Sequence, residues 1–309
     1  MDLVTTINTL YQQYGQLSGI TIECQNELVA IGIKNKVAVA EVFLQGAQLT
    51  RYQRIGESPV LFLSDECSYR SGEALRGGIP ICWPWFGDLQ KNPEAVQQHV
   101  PADVAAHAPA HGFVRHRQWQ VHSITTPSDE LTVVELGITT NSDEAYWPYA
   151  TSLVYRIEIG VNINVSLLIS NHDEKPLTFS NALHSYFSVN NIDNVSIQGF
   201  NQEEYIDALD DWAIKQQGGD ITFTQEVDRI YTCGCTPAVI TTDDRAIQVS
   251  SQGSHSSVIW NPWVKKSQSL SQYKEDDYKQ MVCIETANVM DDCITLAPEK
   301  SHTLQLTIV

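Results

Sequence analysis

An alternation of apolar and polar residues, repeated along most of the chain, is the feature that most constrains its fold. The clearest examples are two segments whose apolar residues share one face, Leu153, Tyr155, Ile157 and Ile159 in the first and Leu304, Leu306 and Ile308 in the second. Successive side chains of a strand point to opposite faces, so this pattern predicts half-buried antiparallel strands. The runs do not alternate with long helices, which argues against a parallel α/β sheet. The sequence therefore predicts a mostly β fold, a large antiparallel β-sandwich.

One short helix is expected before the strands begin. Apolar residues recur at helical spacing from Leu3 to Tyr14, and Gly15 follows as a stop signal, which predicts a helical extension within residues 1–18. All-β architectures often exceed the usual domain length, and no linker or repeat is visible, so we expect a single domain over 1–309. Further strands are predicted at 28–33, 37–50, 59–63, 131–139, 161–170, 176–189, 221–224, 236–241 and 246–250.

Acidic residues outnumber basic ones by 37 to 19, which gives the chain a formal net charge of −18. Such a field repels polyanions and argues against nucleic acid or an anionic membrane surface as a partner. A phosphorylated small molecule would be repelled as well, unless arginines gather locally to bind the phosphate through paired hydrogen bonds. Any phosphate site must therefore involve a local cluster of arginines.

The cysteines indicate a reducing compartment, because their number is odd, no CxxC pair occurs and their spacing matches no disulfide framework. The first residues lack the basic and apolar regions of a signal peptide, and no apolar run approaches the ~20 residues that span a bilayer. We therefore expect a cytoplasmic protein. The seven cysteines are Cys24, Cys67, Cys82, Cys233, Cys235, Cys283 and Cys293.

Two segments interrupt the strand pattern. The first, 76–87 (RGGIPICWPWFG), combines glycines and prolines with large aromatics and is either a site-lining loop or a loop packed by those aromatics. The second, 111–119 (HGFVRHRQW), is either a cationic anchor for phosphate or a solvated basic patch. Taken with the arginine of the first segment, the side chains concerned are Arg76, His111, Arg115, His116 and Arg117.

Two predicted strands carry a titratable side chain on the face opposite their apolar residues. In 179–189 (FSNALHSYFSV), alternation directs His184 away from the apolar face, beside Tyr186. In 281–289 (MVCIETANV), it puts Glu285 in an otherwise apolar strand. The histidine is either structural or an acid, and the glutamate is either a buried ion-pair partner or a base tuned by partial desolvation.

Six segments, taken in order, resemble the motifs of one enzyme family. They are RGGIPICWPWFG, HGFVRH, NALHSYF, EVDRIY, VIWNPW and CIETANV. Together they are similar to those of the glucose-6-phosphate 1-epimerases, or hexose-6-phosphate mutarotases, in the aldose 1-epimerase and galactose mutarotase-like superfamily. The resemblance covers the chain from the first predicted strand to the C-terminus. It implies a supersandwich of antiparallel strands with a carbohydrate cleft on one face, and an isomerase whose partner is a sugar phosphate.

Matching the motifs residue by residue implies roles for six side chains. The general acid is His184 in LHSYF, and the general base is Glu285 in CIETANV. Ala110 stands where some members carry a glutamine that contacts the substrate, and CIETANV lacks the Pro-Gly that follows the base in many relatives. The implied substrate-binding residues are Arg76, Arg115, Asp228, which is expected just after a strand, and His111.

These roles imply the interconversion of α and β anomers without a cofactor or metal. Glu285 takes the proton of the C1 hydroxyl and His184 protonates the ring oxygen, after which the ring opens, the aldehyde rotates and the ring closes on its other face. With reference pKa values of about 4.3 for glutamate and about 6.5 for histidine, an ionised carboxylate and a protonated imidazole can coexist at mildly acidic to neutral pH.

Other interpretations stay open at this stage. A metal hydrolase is suggested by four nearby histidines, His99, His107, His111 and His116. Against it, Pro109 breaks any helix that would align them, and no HExxH pattern occurs. A carbohydrate-binding or sugar-sensing protein of the same fold, and a mutarotase for unphosphorylated aldoses, are compatible with the same motifs.

Overall fold

The computed structural model describes residues 2–232 and 237–309. Antiparallel strands dominate these residues, as the alternating pattern predicts, and helices are few and short. Cys233, Cys235 and the first residue of the strand predicted at 236–241 lie outside the described residues. None of the helices in the described part has the length and apolar character that a membrane-spanning helix requires.

The elements are numbered here in chain order. The helices are α1 (Leu3–Tyr14), α2 (Glu94–Gln97), α3 (Ala102–Ala105) and α4 (Trp263–Ser269), with 3₁₀ turns at Leu89–Lys91, Val114–His116, Ile192–Asn194, Asp277–Gln280 and Met290–Asp292. The first strands are β1 (Ile20–Gln25), β2 (Leu28–Lys34), β3 (Ala38–Phe43), β4 (Leu49–Arg54), β5 (Ile81–Cys82), β6 (Gln120–Ser128), β7 (Leu131–Thr140), β8 (Thr151–Ile159), β9 (Ile163–Asn171), β10 (Leu177–Phe179), β11 (Asn181–Leu183) and β12 (Tyr186–Ser188). The remaining strands are β13 (Ser196–Gln198), β14 (Glu204–Asp207), β15 (Ala213–Gln216), β16 (Ile221–Thr222), β17 (Val227–Tyr231), β18 (Ala238–Thr241), β19 (Ala246–Gln252), β20 (Ser256–Asn261), β21 (Met281–Asn288), β22 (Ile294–Leu296) and β23 (Ser301–Ile308).

Within the described residues, the strands form four antiparallel sheets. The largest has nine strands in the order β16-β13-β18-β19-β23-β9-β8-β7-β6. The second has eight, in the order β15-β14-β17-β20-β21-β11-β5, with β12 also paired to β21. Strands β1 to β4 form a third sheet in chain order, and β10 pairs with β22. This topology confirms the predicted fold class, a mostly β and antiparallel architecture.

The alternation of the sequence becomes an inside–outside alternation in the nine-stranded sheet. In β8, Tyr155 and Ile157 are fully buried while Arg156 between them is exposed. In β23, Leu304 and Leu306 are likewise buried. These side chains join one hydrophobic core that also receives residues from β2, β3, β4 and β21. Each fully buried side chain of this kind contributes about 1.5–3 kcal/mol, so this face holds the sandwich together.

The predicted N-terminal helix is confirmed as α1. Asp2 caps it, because its carboxylate accepts a hydrogen bond of 3.0 Å from the backbone N–H of Thr5. Such a cap is typically worth about 1 kcal/mol. Leu10 is buried in the main core, so the helix packs on the rest of the protein through its apolar side.

The prediction of one strand over 37–50 is wrong, because the chain turns between β3 and β4. Gly46 in this turn has a φ of 72°, and a Cβ there would lie 2.8 Å from the carbonyl oxygen of Arg115. The segment 59–63, also predicted as a strand, forms only isolated bridges. Alternation alone did not mark these interruptions.

The prediction of one strand over 176–189 is wrong in a way that concerns the site. The segment is divided into β10, β11 and β12. The backbone N–H of Ser180 donates to the carbonyl of Pro84 at 3.1 Å, and that of His184 donates to Pro80 at 3.0 Å. Both acceptors belong to the loops that flank β5. Both hydrogen bonds extend the register of β11 with β5, so His184 stays aligned with its neighbours although it lies between β11 and β12.

The two segments that interrupt the strand pattern lie directly against each other. The backbone N–H of His111 donates to the carbonyl of Gly87 at 2.8 Å. Gly112 has a φ of 70°, and a Cβ there would lie 1.9 Å from the carbonyl oxygen of Trp83. Only glycine allows this approach, because both the backbone angle and the space forbid a side chain. The glycine of the HGFVRH segment thus joins the two loops.

Candidate active site

A cleft of about 580 Å³ lies over the face of the eight-stranded sheet that points away from the main core. Its floor is formed by side chains of β12, β17, β20 and β21, and its walls come from the loops around β5, the 3₁₀ turn at Val114–His116 and α4. Concave sites with a few convergent polar groups are typical of small-molecule binding. The structure brings together in this cleft all six side chains singled out from the sequence, Arg76, His111, Arg115, His184, Asp228 and Glu285.

The register of the eight-stranded sheet explains how distant residues meet on the floor. Strands β11 and β12 pair with β21 in one continuous register, so His184 falls opposite Glu285 on the neighbouring strand. Side chains of directly opposite residues share a face and contact each other. Two adjacent rows cross the floor, Ile230, Val258, Glu285 and His184 in one and Asp228, Trp260, Cys283 and Tyr186 in the other.

His184 and Glu285 form a buried pair. Nε2 of the histidine is 3.4 Å from Oε1 of the glutamate, and the side chains are 8% and 2% exposed. Their other polar atoms, Nδ1 and Oε2, have no hydrogen-bond partner among the described residues. An unsatisfied buried polar atom costs about 1–3 kcal/mol. The pair therefore has unused hydrogen-bonding capacity for a molecule in the cleft, and it combines a proton acceptor with a proton donor.

Aromatic rings fix the orientation of His184. The imidazole stacks on Tyr186 with ring centroids 4.7 Å apart and the planes inclined by 8°. The ring of Trp260 meets it edge-on at 5.9 Å, and that of Phe86 lies at 6.5 Å. A sugar ring presents apolar C–H groups that pack well on such aromatic faces, so this lining suits a carbohydrate.

The pKa values of the pair shift in opposite directions. Burial, followed by the charges of Arg115 and Arg76, lowers the pKa of His184 to about 3. Burial, followed by the carboxylate of Asp228, raises the pKa of Glu285 well above its ordinary value. Both directions oppose the expectation of an ionised glutamate beside a protonated histidine, since reference values apply to solvated groups. The neutral pair holds the same single proton as the ion pair, so one transfer between Oε1 and Nε2 interconverts the two.

Two arginines form one end of the cleft, called the arginine end below. The guanidinium of Arg115 donates to the carbonyl of Ala110 at 2.8 Å and to Nε2 of His116 at 3.3 Å. Nε of Arg76 donates to the carbonyl of Ser271 at 3.2 Å. Both cations contribute to lowering the pKa of His184, whereas neither is among the charges that shift the pKa of Glu285. The arginine end therefore adjoins the histidine rather than the glutamate.

The opposite end, called the carboxylate end below, adjoins Glu285. The sequence predicts Asp228 just after a strand, whereas it lies within β17 and projects into the cleft. Burial, followed by the charge of Glu226, raises the pKa of Asp228 to about 6, and Lys266 acts in the opposite direction. All of these side chains line the cleft. The strand accommodates Asp228 because the face to which this side chain points lines a polar cleft.

His111 lies between the two loops that approach the cleft. Its Nδ1 is 3.4 Å from Sγ of Cys82 and accepts a 3.3 Å hydrogen bond from the backbone N–H of Gly87. Its ring is 5.3 Å from that of His184. Burial, followed by Arg115, lowers its pKa well below the ordinary value, so it enters the cleft as a neutral imidazole.

Several residues of the same motifs do not enter the cleft. Trp83 and Trp85 are fully buried in the main core, so the first loop is packed by its tryptophans and also lines the site through other residues. Arg117 points away and forms an ion pair of 2.8 Å with Glu144. Ala110 lines the cleft, and its carbonyl accepts the bond from the neighbouring arginine described above.

The histidines that suggest a metal hydrolase serve separate structural contacts. Nε2 of His99 accepts a 3.0 Å hydrogen bond from the backbone N–H of Thr178, and Nδ1 of His116 lies 2.9 Å from the carbonyl oxygen of Gly72. In the described part of the chain, the one group of three clustered ligand atoms contains His184 with Cys283 and Glu285, and none of the four histidines of that region.

Some cleft residues were not anticipated from the sequence. Lys91, Trp212 and Lys266 line the entrance, and the ammonium group of Lys91 is 5.7 Å from the centre of the Trp212 ring. They come from a 3₁₀ turn, a loop and α4, and none of the three residues belongs to one of the six motifs. No sequence signal would have identified them, because only the fold brings these segments to one opening.

The sequence profile of the aldose 1-epimerase family matches residues 29–309, which is nearly the whole chain. The chain belongs to the aldose 1-epimerase family. It is 34% identical over 270 residues to the "Putative glucose-6-phosphate 1-epimerase" of Salmonella typhimurium, a match that covers 84% of this chain and 83% of that one. A protein of the same name from Escherichia coli is 31% identical over 285 residues, covering 91% and 90% of the two chains.

Solved structures of this family share the architecture. The crystal structure of a "putative mutarotase" from Salmonella typhimurium superposes with a TM-score of 0.84 at 28% identity, covering 97% of this chain and 98% of that one. A galactose mutarotase related enzyme from Lactobacillus acidophilus has a TM-score of 0.68 at 13% identity, covering 90% and 96%. The second likeness concerns the fold alone, and both agree with the galactose mutarotase-like sandwich expected from the sequence.

Proposed function

We propose that this aldose 1-epimerase interconverts the α and β anomers of hexose 6-phosphates, with glucose 6-phosphate as the best substrate. His184 and Glu285 act as the acid/base pair. The observation that carries the proposal is the buried contact of 3.4 Å between these two side chains on the floor of the cleft. Their unpaired polar atoms supply the donor and the acceptor that ring opening requires.

The reaction needs two proton transfers, and one shared proton on the pair is enough for them. When this proton resides on His184, Glu285 is a carboxylate that accepts the proton of the C1 hydroxyl while the imidazolium protonates the ring oxygen. The C1–O5 bond breaks, the aldehyde rotates, and the reverse transfers close the ring on its other face. Each positioned transfer contributes about 10²–10⁴-fold to the rate.

The charge distribution of the cleft supports one orientation of the sugar. In a hexopyranose, the ring oxygen and the C6 substituent are both attached to C5, so a 6-phosphate lies on the ring-oxygen side. The arginine end adjoins His184, the proposed donor to the ring oxygen. The carboxylate end adjoins Glu285, where Asp228 can accept hydrogen bonds from sugar hydroxyls. Phosphate at the arginine end and C1–OH at the glutamate therefore fit the same binding mode.

Because the net charge is −18, a phosphate site in this protein needs local positive charge. A phosphate dianion is repelled by the protein as a whole, and Arg76 and Arg115 supply the local cations that offset this repulsion. His111 completes the substrate site as a neutral hydrogen-bonding group. The names of the Salmonella typhimurium and Escherichia coli relatives, which specify glucose 6-phosphate, support the same substrate class.

Exchange NMR on the purified protein tests this proposal directly. Magnetisation transfer between anomers is measured for glucose 6-phosphate, glucose and galactose side by side, with the spontaneous rate subtracted. We expect the largest acceleration for glucose 6-phosphate. Acceleration of glucose alone would favour a mutarotase for unphosphorylated aldoses, and binding without any acceleration would favour a sugar-binding protein.

We also propose that the whole chain works as one domain in the cytoplasm. One core cluster extends from Leu10 in α1 to Ile308 in β23, which supports a single cooperative unit. The five cysteines in the described residues are free thiols, which supports a reducing compartment. A single, coincident unfolding transition by fluorescence and circular dichroism is expected, and two separated transitions would contradict the single domain.

A further inference from the structure

A thiol lies beside the acid/base pair and has no part in the reaction described above. Cys283 precedes Glu285 by two residues in β21, so both side chains point to the cleft face of the sheet. The ligand atoms of Cys283, Glu285 and His184 all lie within 4.8 Å of one another. These three side chains are a thiol, a carboxylate and an imidazole, the ligand types that zinc binds in proteins.

We propose that His184, Cys283 and Glu285 form an inhibitory site for a thiophilic divalent cation of the zinc type, bound in place of the sugar. The metal is an inhibitor here and not a cofactor. Its effect on catalysis rests on the proposed function, because it would occupy both groups of the acid/base pair. Its binding depends only on the three side chains.

The geometry of the cluster favours a tetrahedral ion. Zinc ligands at about 2.0–2.3 Å from the metal stand roughly 3.3–3.8 Å apart. Nε2 of His184 and Oε1 of Glu285 are already 3.4 Å apart, so the thiol has to approach the pair by at most about 1 Å. Water from the cleft, which His184 and Glu285 line, can complete the shell as the fourth ligand. Mg²⁺ and other cations that prefer oxygen ligands are disfavoured, because only one of the three ligands is a carboxylate and the others are a soft thiolate and an imidazole.

Unpaired polar atoms and nearby acidic groups also support the binding of a cation. Oε2 of Glu285 and Nδ1 of His184 are buried without a hydrogen-bond partner among the described residues, so the pair is not saturated by protein contacts. On coordination, Cys283 and the protonated Glu285 each release a proton to solvent, so they bind as thiolate and carboxylate beside the neutral imidazole of His184. The thiolate and the carboxylate then neutralise the two charges of the metal, and Asp228 adds a nearby carboxyl group that opposes the repulsion from the arginines.

Cobalt substitution tests the binding without reference to activity. Co²⁺ is titrated into the full-length chain in a background where Cys233 and Cys235 are replaced by serine, so that this Cys-Gly-Cys sequence cannot contribute. We expect a thiolate-to-cobalt absorption band that saturates at one ion per chain, disappears in Cys283→Ala and is bleached by Zn²⁺. The matched control, Cys24→Ser with Cys293→Ser, removes two thiols outside the cleft and should keep the band.

Inhibition is then measured by anomer exchange. Zn²⁺ should inhibit the parent protein, EDTA should restore its full rate, and Cys283→Ala should need at least about a hundredfold more Zn²⁺, because loss of even an outer-shell partner of a metal site weakens binding about 10–100-fold. A cobalt band or a Zn²⁺ sensitivity that is unchanged in Cys283→Ala overturns the proposal.

Two further measurements keep the test decisive. If Cys283→Ala does not fold, Cys283→Ser replaces it, and saturating glucose 6-phosphate should also suppress the cobalt band of the parent protein. A band that glucose 6-phosphate leaves unchanged would contradict a site shared with the sugar. A parent protein that shows the band but accelerates no sugar would refute the proposed function and leave the metal site standing.

Discussion

The arginine end and the carboxylate end of the cleft occupy one sheet surface and yet differ in charge and in origin. The arginine end is made by loops, with Arg76 before β5 and Arg115 in a 3₁₀ turn. The carboxylate end is made by strands, with Asp228 in β17 and Glu285 in β21. The charges act on different members of the pair, because the arginines lower the pKa of His184 and Asp228 raises that of Glu285.

This difference indicates a division of tasks. Glu285 in β21 and His184 between β11 and β12 are both held by the register of the sheet, so the groups proposed to act on C1 and the ring oxygen, the invariant part of an aldose, lie at fixed positions. In the proposed binding mode the phosphate, which distinguishes a phosphorylated from a free sugar, is recognised by loop residues, and these vary more easily than strand residues. Four predictions test whether the arginine end serves the phosphate and the carboxylate end serves the part of the sugar common to all aldoses.

The largest expected effect comes from the pair itself, where the two ends meet. His184→Ala and Glu285→Gln should each lose about 10²–10⁴-fold in anomer exchange for phosphorylated and free sugars alike, because each removes one proton transfer. Circular dichroism should show a folded protein. His122→Ala, a change at a partly exposed histidine outside the cleft, is the control. A rate close to that of the parent in either variant would remove the acid/base assignment.

The next effect should be selective for phosphate. Arg115→Ala and Arg76→Ala should each reduce kcat/KM for glucose 6-phosphate by about one to two orders of magnitude, since a charged hydrogen bond is worth roughly 1.5–3 kcal/mol. Free glucose should be nearly unaffected. Arg117→Ala is the matched control, because this arginine lies two residues away and pairs with Glu144 outside the cleft. Equal losses for both sugars would withdraw the phosphate assignment and leave the mutarotase assignment intact.

A smaller effect is expected at the carboxylate end, and without selectivity. Asp228→Asn should lower kcat/KM about tenfold for glucose and glucose 6-phosphate equally, because it weakens a hydrogen bond to the sugar ring common to both. Glu226→Gln removes the same charge from the neighbouring position and controls for a general electrostatic change. A loss confined to the phosphorylated sugar would show that the two ends do not divide the tasks as proposed.

The smallest effects should be shifts of the pH–rate profile, measured with unphosphorylated glucose because a phosphate itself titrates at about pH 6. The active pair carries one proton. The acid limb marks uptake of a second proton, and it lies below the ordinary histidine value because the pKa of His184 is lowered to about 3. The alkaline limb marks loss of the only proton, and it lies well above the ordinary glutamate value because the pKa of Glu285 is raised.

The two ends should move opposite limbs of this profile. Arg115→Ala removes a cation, raises the pKa of His184 and shifts the acid limb to higher pH. Asp228→Asn removes an anion, lowers the pKa of Glu285 and shifts the alkaline limb to lower pH. Each shift should be about one unit or less, as expected for one partly screened charge. If both variants moved the same limb, the two charges would act on one group rather than on two.

The sequence predicts the fold class and α1 well, because alternation and capping are local properties. It does not predict that the strand around His184 is interrupted, since the backbone partner of this segment, Pro80, is far away in the chain and leaves no local signal. The turn at Gly46 was missed for the same reason, because the close approach of Arg115 that favours glycine there is a tertiary contact.

For the site, motif resemblance identified six residues that the structure brings into one cleft, and their roles remain proposals. The residues at the entrance had no motif, and Asp228 was expected after a strand rather than within one. The pKa shifts of the pair were not predicted because burial and neighbouring charges, which set the pKa values, cannot be read from residue types.

The contact at Gly112 has a consequence for engineering. Its missing side chain lets the loop with Arg115 rest on the carbonyl of Trp83, within the segment that begins at Arg76. The two loops share this contact, in addition to the packing of Trp83 and Trp85 in the main core. A chimera that takes one of these loops from a relative with another sugar preference would join two surfaces that do not match. Residues 76–117 therefore constitute the smallest exchangeable module of this protein, and specificity should be transplanted as that complete block.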